Sequence, residues 1–243
     1  MTDLHSHILP GMDDGSSCPE ESLAMLAMEA AQGITLVAAT PHFDPRTDEP
    51  QAFLERRALA EAALRGAMGA DPRLPRLILG AEVRYFRGIS DSEALPLLTL
   101  EGGKALLLEL PQGPWPEEIW QELSQLKDKR GILPIIAHLD RYMGLFHGRD
   151  LPGRLEELPV LVQANSGFFL RRSTASLAAR LLREDRIHLL GSDCHGSDRR
   201  KPDLGPAWDR IRRKDPDAAR RIREYEALIL PQWALTLPGE KGS

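Results

Sequence analysis

The sequence has few cysteines, no long apolar runs and no excess of basic residues. Two cysteines among 243 residues cannot make the disulfide framework of a small secreted protein. No stretch approaches the roughly 20 apolar residues of a membrane span, and no basic-then-apolar segment opens the chain. The formal net charge of -5 argues against nucleic acid as the main partner. These features predict a cytoplasmic protein without membrane insertion.

The chain alternates short apolar runs with longer helical patterns, which is the order expected of repeated β-α units. The predicted strands cover residues 2–5, 34–39, 74–79, 105–110, 132–137, 160–164 and 187–191. The predicted helices cover residues 19–32, 51–68, 116–130 and 174–185. A basic stretch around Pro216 also has helical spacing, and we interpret it as a solvated helical face. The pattern favours a parallel, TIM-like α/β barrel, formed as a single domain over residues 1–243.

Metal-capable side chains occur at the ends of six of the seven predicted strands. They are His5, His7, Asp14, His42, Glu82, Glu109, His138, Asp193 and His195. Catalytic residues gather at the C-terminal strand ends of parallel α/β folds, because the loops there diverge and leave a cavity. Burying so many carboxylates and imidazoles together without cations would be costly, through desolvation and like-charge repulsion. The pattern therefore predicts a metal cluster.

Five histidines and four carboxylates supply donors for about three divalent ions. Nitrogen and oxygen ligands without a thiolate favour manganese, iron or zinc. Clustered metals suit displacement at phosphorus, because they generate a hydroxide nucleophile and neutralise charge on the transferring phosphoryl oxygens. Phosphoester hydrolysis is therefore the predicted chemistry. His147 and His188 fall outside the pattern, and we interpret both as structural.

Seven segments carry a resemblance to a known family: "DLHSHILPGMDDGS", "EESLAML", "ATPHF", "GAEVRY", "HLDRY", "VQANSGFF" and "GSDCHG". They resemble the PHP (polymerase and histidinol phosphatase) superfamily of distorted (β/α)7 barrels. The opening segment is similar, more narrowly, to manganese-dependent protein-tyrosine phosphatases of bacterial capsule and exopolysaccharide systems. The resemblance implies hydrolysis of phosphotyrosine on a protein, namely a bacterial tyrosine kinase, by a metal-bridging hydroxide.

The resemblance also implies how the ligands are shared among three ions. It implies one ion held by His5, His7, Glu82 and Asp193. It implies a second held by Glu82 as a bridge with Glu109 and His138, and a third held by Asp14, His42 and His195. Arg141 and Arg200 stand where the family holds phosphate oxygens in fork geometry. Three departures touch no implied ligand: Phe43 replaces a histidine, Gly196 replaces an asparagine, and "HLDRY" replaces His-Pro-Glu-Arg-Tyr.

Two other functions stay open on the sequence alone, as does the oligomeric state. A PHP phosphoesterase acting on histidinol phosphate or another small phosphate ester would have the same metal site and a different pocket rim. A non-enzymatic, metal-bound scaffold would have no need of a cluster that generates a nucleophile.

A cysteine-dependent mechanism is a further possibility, because Cys194 and Arg200 have the C-x5-R spacing of cysteine-dependent tyrosine phosphatases. Asp198 would repel phosphate in such a loop, and Asp193 would raise the pKa of the thiol rather than lower it. We therefore interpret Cys194 as a small filler residue.

Overall fold

The computed structural model of the chain describes residues 1–144 and 150–235. The strands are β1 (Thr2–Ser6), β2 (Leu36–Ala39), β3 (His42–Phe43), β4 (Arg76–Leu79), β5 (Glu82–Arg84), β6 (Ala105–Glu109), β7 (Leu133–Ile136), β8 (Leu161–Asn165) and β9 (Leu189–Gly191). The α-helices are α1 (Pro19–Ala31), α2 (Pro50–Met68), α3 (Glu117–Arg130), α4 (Leu139–Tyr142), α5 (Leu151–Glu156), α6 (Ser166–Leu170), α7 (Ala175–Arg183), α8 (Leu204–Lys214), α9 (Pro216–Ile229) and α10 (Gln232–Leu235). Three 3₁₀ turns, Ile89–Asp91, Leu95–Leu97 and Leu100–Gly102, lie between β5 and β6.

The named strands pair in parallel and form a curled sheet. One set of hydrogen-bonded strands has the order β1-β2-β4, and the other has the order β3-β5-β6-β7-β8-β9. The two sets are continuous in sequence, because only two residues separate β2 from β3 and only two separate β4 from β5. A parallel bridge between Ser6 and Cys194 also links β1 to the segment after β9, where the His7 N–H donates to the Cys194 carbonyl at 2.9 Å.

Successive strand residues belong to two different apolar layers. Val37 and Leu106 belong to the larger layer, which the helices also line. Their neighbours Leu36 and Leu107 belong to a second layer on the other face of the sheet. Side chains alternate between the faces of a strand, and both faces are covered here. This explains why the strands are apolar throughout, since each buried leucine or valine contributes about 1.5–3 kcal/mol.

The predicted elements are confirmed in position, with some corrections. Each predicted strand and helix overlaps an observed one, but β3 and β5 were not predicted because their polar residues end the apolar runs. The short helices α4, α5 and α6 were not predicted either. The basic stretch forms the end of α8 and most of α9, and most of its basic side chains are exposed, as the solvated-face interpretation predicts. The opposite face is buried, through Ile211, Ala218, Ala219, Ile222 and Glu226. In the described part of the chain, no helix has both the length and the apolar character needed to cross a membrane.

Helix α1 holds the loop that follows β1. Pro19 occupies its first turn together with Glu20 and Glu21, as the polarity of a helix N-terminus favours. The Glu21 carboxylate reaches back and accepts hydrogen bonds from the Ser17 N–H at 2.9 Å and the Ser17 hydroxyl at 2.8 Å. The end of the loop that carries Asp14 is therefore fixed to the helix.

Candidate metal centre

The structure brings all nine predicted ligands together at the C-terminal ends of the strands. They come from β1 and its following loop (His5, His7, Asp14), β3 (His42), β5 (Glu82), β6 (Glu109), the residue pair after β7 (His138) and the loop after β9 (Asp193, His195). The parallel register of β3 and β5 pairs His42 with Glu82 directly. The cluster therefore results from strand ends that meet at one edge of the sheet.

Glu82 lies at the centre of the cluster. One of its carboxylate oxygens, Oε2, is 3.0 Å from His42 Nδ1, 3.2 Å from His5 Nε2 and 3.3 Å from His7 Nε2. The other, Oε1, is 2.8 Å from His138 Nε2. Burial alone would raise the pKa of the Glu82 carboxyl, but the surrounding histidines, His5 first among them, hold it well below its usual range. Glu82 is therefore an anion that four imidazoles surround.

The predicted ligands other than His138 form three groups, and within each group the ligand atoms lie within 4.8 Å of one another. They are the group of His7, Asp14, His42 and His195, the group of His5, His7 and Asp193, and the group of His42, Glu82 and Glu109. The group of His7, Asp14, His42 and His195 contains all ligands implied for the third ion. The group of His5, His7 and Asp193 contains all ligands implied for the first ion except Glu82. In the last group His42 stands where the resemblance implied His138, which also lies close, 3.5 Å from Glu109 Oε1.

The donor set fits divalent cations. The Nε2 atoms of His5 and His7 face each other at 3.2 Å, although a ring nitrogen that carries a lone pair needs a proton or a cation opposite it. Two further buried atoms of the cluster make no well-directed hydrogen bond: Glu82 Oε2 and His195 Nε2. Buried polar atoms in proteins are nearly always paired. Unpaired nitrogen and oxygen donors that converge in this way are suited to manganese, iron or zinc.

The raised pKa values of two histidines couple cation binding to the release of protons. Burial disfavours a charged imidazole, but hydrogen bonds to Asp13 and Glu82 raise the pKa of His7 to about 10. Against the same effect of burial, Glu109 and Glu82 raise the pKa of His138 to about 9. Both rings therefore carry protons at neutral pH, and a cation would displace them.

Asp13 supports the cluster, although the sequence analysis selected only its neighbour Asp14. Its Oδ2 atom accepts hydrogen bonds from His7 Nδ1 at 2.7 Å and from the His42 N–H at 2.8 Å. Its Oδ1 atom accepts from the Gly15 N–H at 2.9 Å. Gly15 is needed here, because a Cβ atom would lie 2.2 Å from the His7 carbonyl oxygen. Asp13 thus fixes the ring of His7 with Nε2 towards the cluster, as carboxylates do for metal-binding histidines.

Strand β8, for which no site residue was predicted, supplies two further supporting residues. Gln163 Oε1 accepts a hydrogen bond from the His138 N–H at 2.7 Å and lies 3.3 Å from His5 Nδ1. The Asn165 amide donates to Asp193 Oδ2 at 2.9 Å. The sequence feature that could have indicated these two residues is "VQAN", where Gln163 and Asn165 interrupt an otherwise apolar strand.

Several site residues adopt a strained backbone. Among the described residues, five that are not glycine have a positive φ, and three of them belong to the predicted site: His138 at 35°, Asp193 at 54° and Arg200 at 48°. Such conformations are costly and persist only where the surrounding structure imposes them, often at functional sites.

Both predicted arginines contact the same ligand. Arg141 Nη2 donates to Asp193 Oδ2, and Arg200 Nη2 donates to Asp193 Oδ1 at 2.8 Å. Burial would raise the pKa of the Asp193 carboxyl, but His5 and Arg141 lower it to about 2. The arginine side chains keep 32% and 43% of their surface exposed. Two guanidinium groups therefore converge on one planar carboxylate beside the cluster and still face solvent.

The Cys194 side chain is fully buried. Its Sγ atom lies 4.0 Å from Glu29 Oε1. Burial, together with the carboxylates of Asp3 and Glu29, raises the pKa of the thiol well above its usual value. A neutral, buried thiol is a poor nucleophile, which supports the interpretation of Cys194 as filler.

The two histidines set aside in the sequence have different outcomes. His188 accepts a hydrogen bond from the Val162 N–H at 2.9 Å and packs edge-on against Tyr225, so its contacts are structural. His147 lies outside the described residues.

The fold and the cluster define an α/β protein with a candidate metal-binding centre at the ends of its parallel strands. The family model for capsular polysaccharide synthesis proteins, CpsB/CapC, matches residues 1–226, and the chain belongs to this family. This confirms the resemblance that the sequence motifs indicated.

Individual relatives agree with this assignment. The chain is 30% identical to the tyrosine-protein phosphatase CpsB of Streptococcus pneumoniae over 229 residues, which is 88% of this chain and 90% of that protein. It is 31% identical to the tyrosine-protein phosphatase YwqE of Bacillus subtilis over 201 residues, which is 80% of this chain and 77% of that protein. A solved structure from work on YwqE and CpsB, described as unique metal-dependent tyrosine phosphatases, has a TM-score of 0.83 and 26% identity over 98% of this chain and 96% of that chain.

Proposed function

We propose that this chain is a metal-dependent protein-tyrosine phosphatase. The observation that carries the proposal is the convergence of four histidines on Glu82, with Arg141 and Arg200 beside them on Asp193. The cluster provides donors for cations, and the arginines provide donors for the oxygens of a phosphoryl group. The relatives named as tyrosine-protein phosphatases support this substrate class over a small phosphate ester.

The cofactor in this proposal is three divalent ions, with manganese favoured and iron or zinc compatible with the same donors. The ligands would be His5, His7, Asp14, His42, Glu82, Glu109, His138, Asp193 and His195. When bound, such ions lower the pKa of water so that it can attack phosphorus, and they neutralise charge on the phosphoryl oxygens. Asp13 keeps the His7 ring oriented, and Gln163 holds the backbone of His138 in place.

Arg141 and Arg200 would bind the phosphoryl group. Each now donates to one oxygen of Asp193, and the planar edge of a carboxylate resembles that of a phosphoryl group. We propose that, when substrate binds, phosphoryl oxygens replace the Asp193 oxygens as the hydrogen-bond acceptors of Arg141 and Arg200. Phenolate has a pKa of about 10, so this leaving group needs less help from a general acid than an alkoxide does.

The proposal extends to the fold and the partner. We count β2 with β3, and β4 with β5, as interrupted single strands, which makes a distorted (β/α)7 barrel of one domain that the Ser6–Cys194 bridge supports. The expected partner is a phosphotyrosine-bearing bacterial tyrosine kinase of polysaccharide synthesis, and the expected location is the cytoplasm. Membership of the capsular polysaccharide synthesis family supports a role in polysaccharide synthesis.

The decisive experiment compares two substrates on one preparation. Metal-stripped protein should be inactive, and added Mn²⁺ should restore turnover of a phosphotyrosyl peptide with a kcat/KM well above that for histidinol phosphate. The opposite preference would favour the small-ester phosphoesterase, and no activity with any metal would favour the scaffold. Anomalous scattering from a crystal would count the ions.

A further inference from the structure

A cleft of about 370 Å³ opens beside Glu109, outside the cluster described above. It is lined by Arg46, Arg84, Tyr85, Glu109, Leu110, Pro111 and Gln112. Its volume suits one or two side chains of a bound polypeptide, and nothing in the proposed chemistry at the cluster uses it.

The Glu109 side chain lies between this cleft and the cluster. Its Oε1 atom faces the cluster, 3.5 Å from His138 Nε2 and 3.7 Å from Arg141 Nη1. Its Oε2 atom faces the cleft, 3.4 Å from Arg84 Nε. The parallel register of β5 and β6 pairs Arg84 with Glu109, so the two side chains lie side by side. A group in the cleft is therefore separated from the phosphoryl site by the width of one carboxylate.

The two arginines of the cleft are balanced by two carboxylates, Asp44 and Glu109. Arg46 Nε lies 2.9 Å from Asp44 Oδ1, and Arg84 Nη1 lies 3.0 Å from Asp44 Oδ2, so without Glu109 the two arginines share Asp44 as their single counter-charge. Both guanidinium groups are open to solvent, with 70% and 47% of their side chains exposed. If Glu109 binds a cation as proposed, its charge is committed to the cluster and no longer offsets Arg84.

We propose that this cleft binds an acidic side chain of the phosphotyrosine-bearing substrate, close in sequence to the phosphotyrosine, with Arg46 and Arg84 as its partners. The inference rests on the proposed function, because it assumes a phosphotyrosyl polypeptide at the cluster. Because exposed ion pairs are weak, an acidic neighbour should raise kcat/KM by about three- to fivefold, and salt should reduce this effect.

The chain offers a matched control for Arg46. Arg73 binds Asp71 in the same way that Arg46 binds Asp44, with N–H to Oδ1 distances of 3.0 Å and Nε to Oδ1 distances of 2.9 Å in both pairs. Arg73 precedes β4, at the opposite end of the strands from the cluster. Replacing it removes the same exposed charge from a distant surface.

The experiment uses pairs of phosphotyrosyl peptides that differ only by glutamate or glutamine at one of three positions before or after the phosphotyrosine. The measured quantity is the ratio of kcat/KM within each pair, which cancels differences in metal loading between preparations. We expect a ratio of about three to five at one or more positions for the wild type and Arg73→Ala, and a lower ratio for Arg46→Ala, in which only Arg84 remains. Asp44→Asn should raise the ratio, since it removes the competing carboxylate.

A binding measurement completes the test. Fluorescence anisotropy with peptides that carry a non-hydrolysable phosphonate should show the same pattern in dissociation constants. Equal ratios for Arg46→Ala and Arg73→Ala, or a wild-type ratio of one at every position, would overturn the cleft assignment alone. Failure of the wild-type enzyme to hydrolyse any phosphotyrosyl peptide with Mn²⁺ would overturn the proposed function and the cleft assignment with it.

Discussion

Replacing Asp13 tests whether a residue outside the ligand set controls metal binding. The Asp13 carboxylate is 7% exposed and accepts three hydrogen bonds, from the His7 ring and from the N–H groups of His42 and Gly15. Asp13→Ala removes all three acceptors and leaves the ring of His7 free to turn. In Asp13→Asn the side-chain oxygen still accepts from His7 and His42, but the amide faces the Gly15 N–H as a second donor.

The magnitude follows from these contacts. Loss of a partner that orients a metal-binding histidine costs about 10–100-fold in metal affinity, which is about 1.4–2.8 kcal/mol. We expect a loss of metal affinity near 100-fold for Asp13→Ala and near 10-fold for Asp13→Asn. The donors left unpaired in Asp13→Ala should also lower the free energy of unfolding by about 1–3 kcal/mol.

The assay is metal content at a series of buffered free Mn²⁺ concentrations, with thermal unfolding of the metal-free protein measured in parallel. Asp71→Ala is the control, because Asp71 also accepts several hydrogen bonds but lies before β4. Wild-type affinity for Mn²⁺ in Asp13→Ala would refute the argument that the carboxylate orients His7.

Four further outcomes are expected. Glu82→Ala should lose metal from more than one position and most activity, because its two oxygens face different histidines; full manganese content would contradict this. Arg141→Ala and Arg200→Ala should keep their metals and lose about 2–3 kcal/mol of transition-state binding, measured as kcat/KM per bound ion. A variant that instead loses metal with unchanged kinetics would show a structural arginine. Cys194→Ser should keep near wild-type turnover, and a fully metallated but inactive variant would overturn the mechanism. Mn²⁺ binding to metal-free protein should release protons and strengthen as the pH rises towards about 9, where His138 loses its own proton; calorimetry in buffers of different ionisation enthalpy measures this.

The sequence by itself determined the seven apolar strands and the residues of the candidate ligand set. An apolar run covered on both faces remains apolar along its whole length, so β6 and β7 can be recognised locally. Polar residues that end such runs, such as Glu109 and His138, must lie at the C-terminal edge wherever the strands pair. The chemistry followed from residue types alone, because imidazoles and carboxylates gathered at one edge suit few tasks other than metal binding.

Only the tertiary structure decided how these residues act on one another. Asp13 and Asp14 are adjacent and chemically identical, and the path of the loop determines that Asp13 binds His7. The pairing of Arg84 with Glu109, and so the cleft beside the cluster, depends on the register between β5 and β6. Register and loop path are set by contacts between residues that are distant in the chain, and the local conformational preferences of a segment do not predict such contacts.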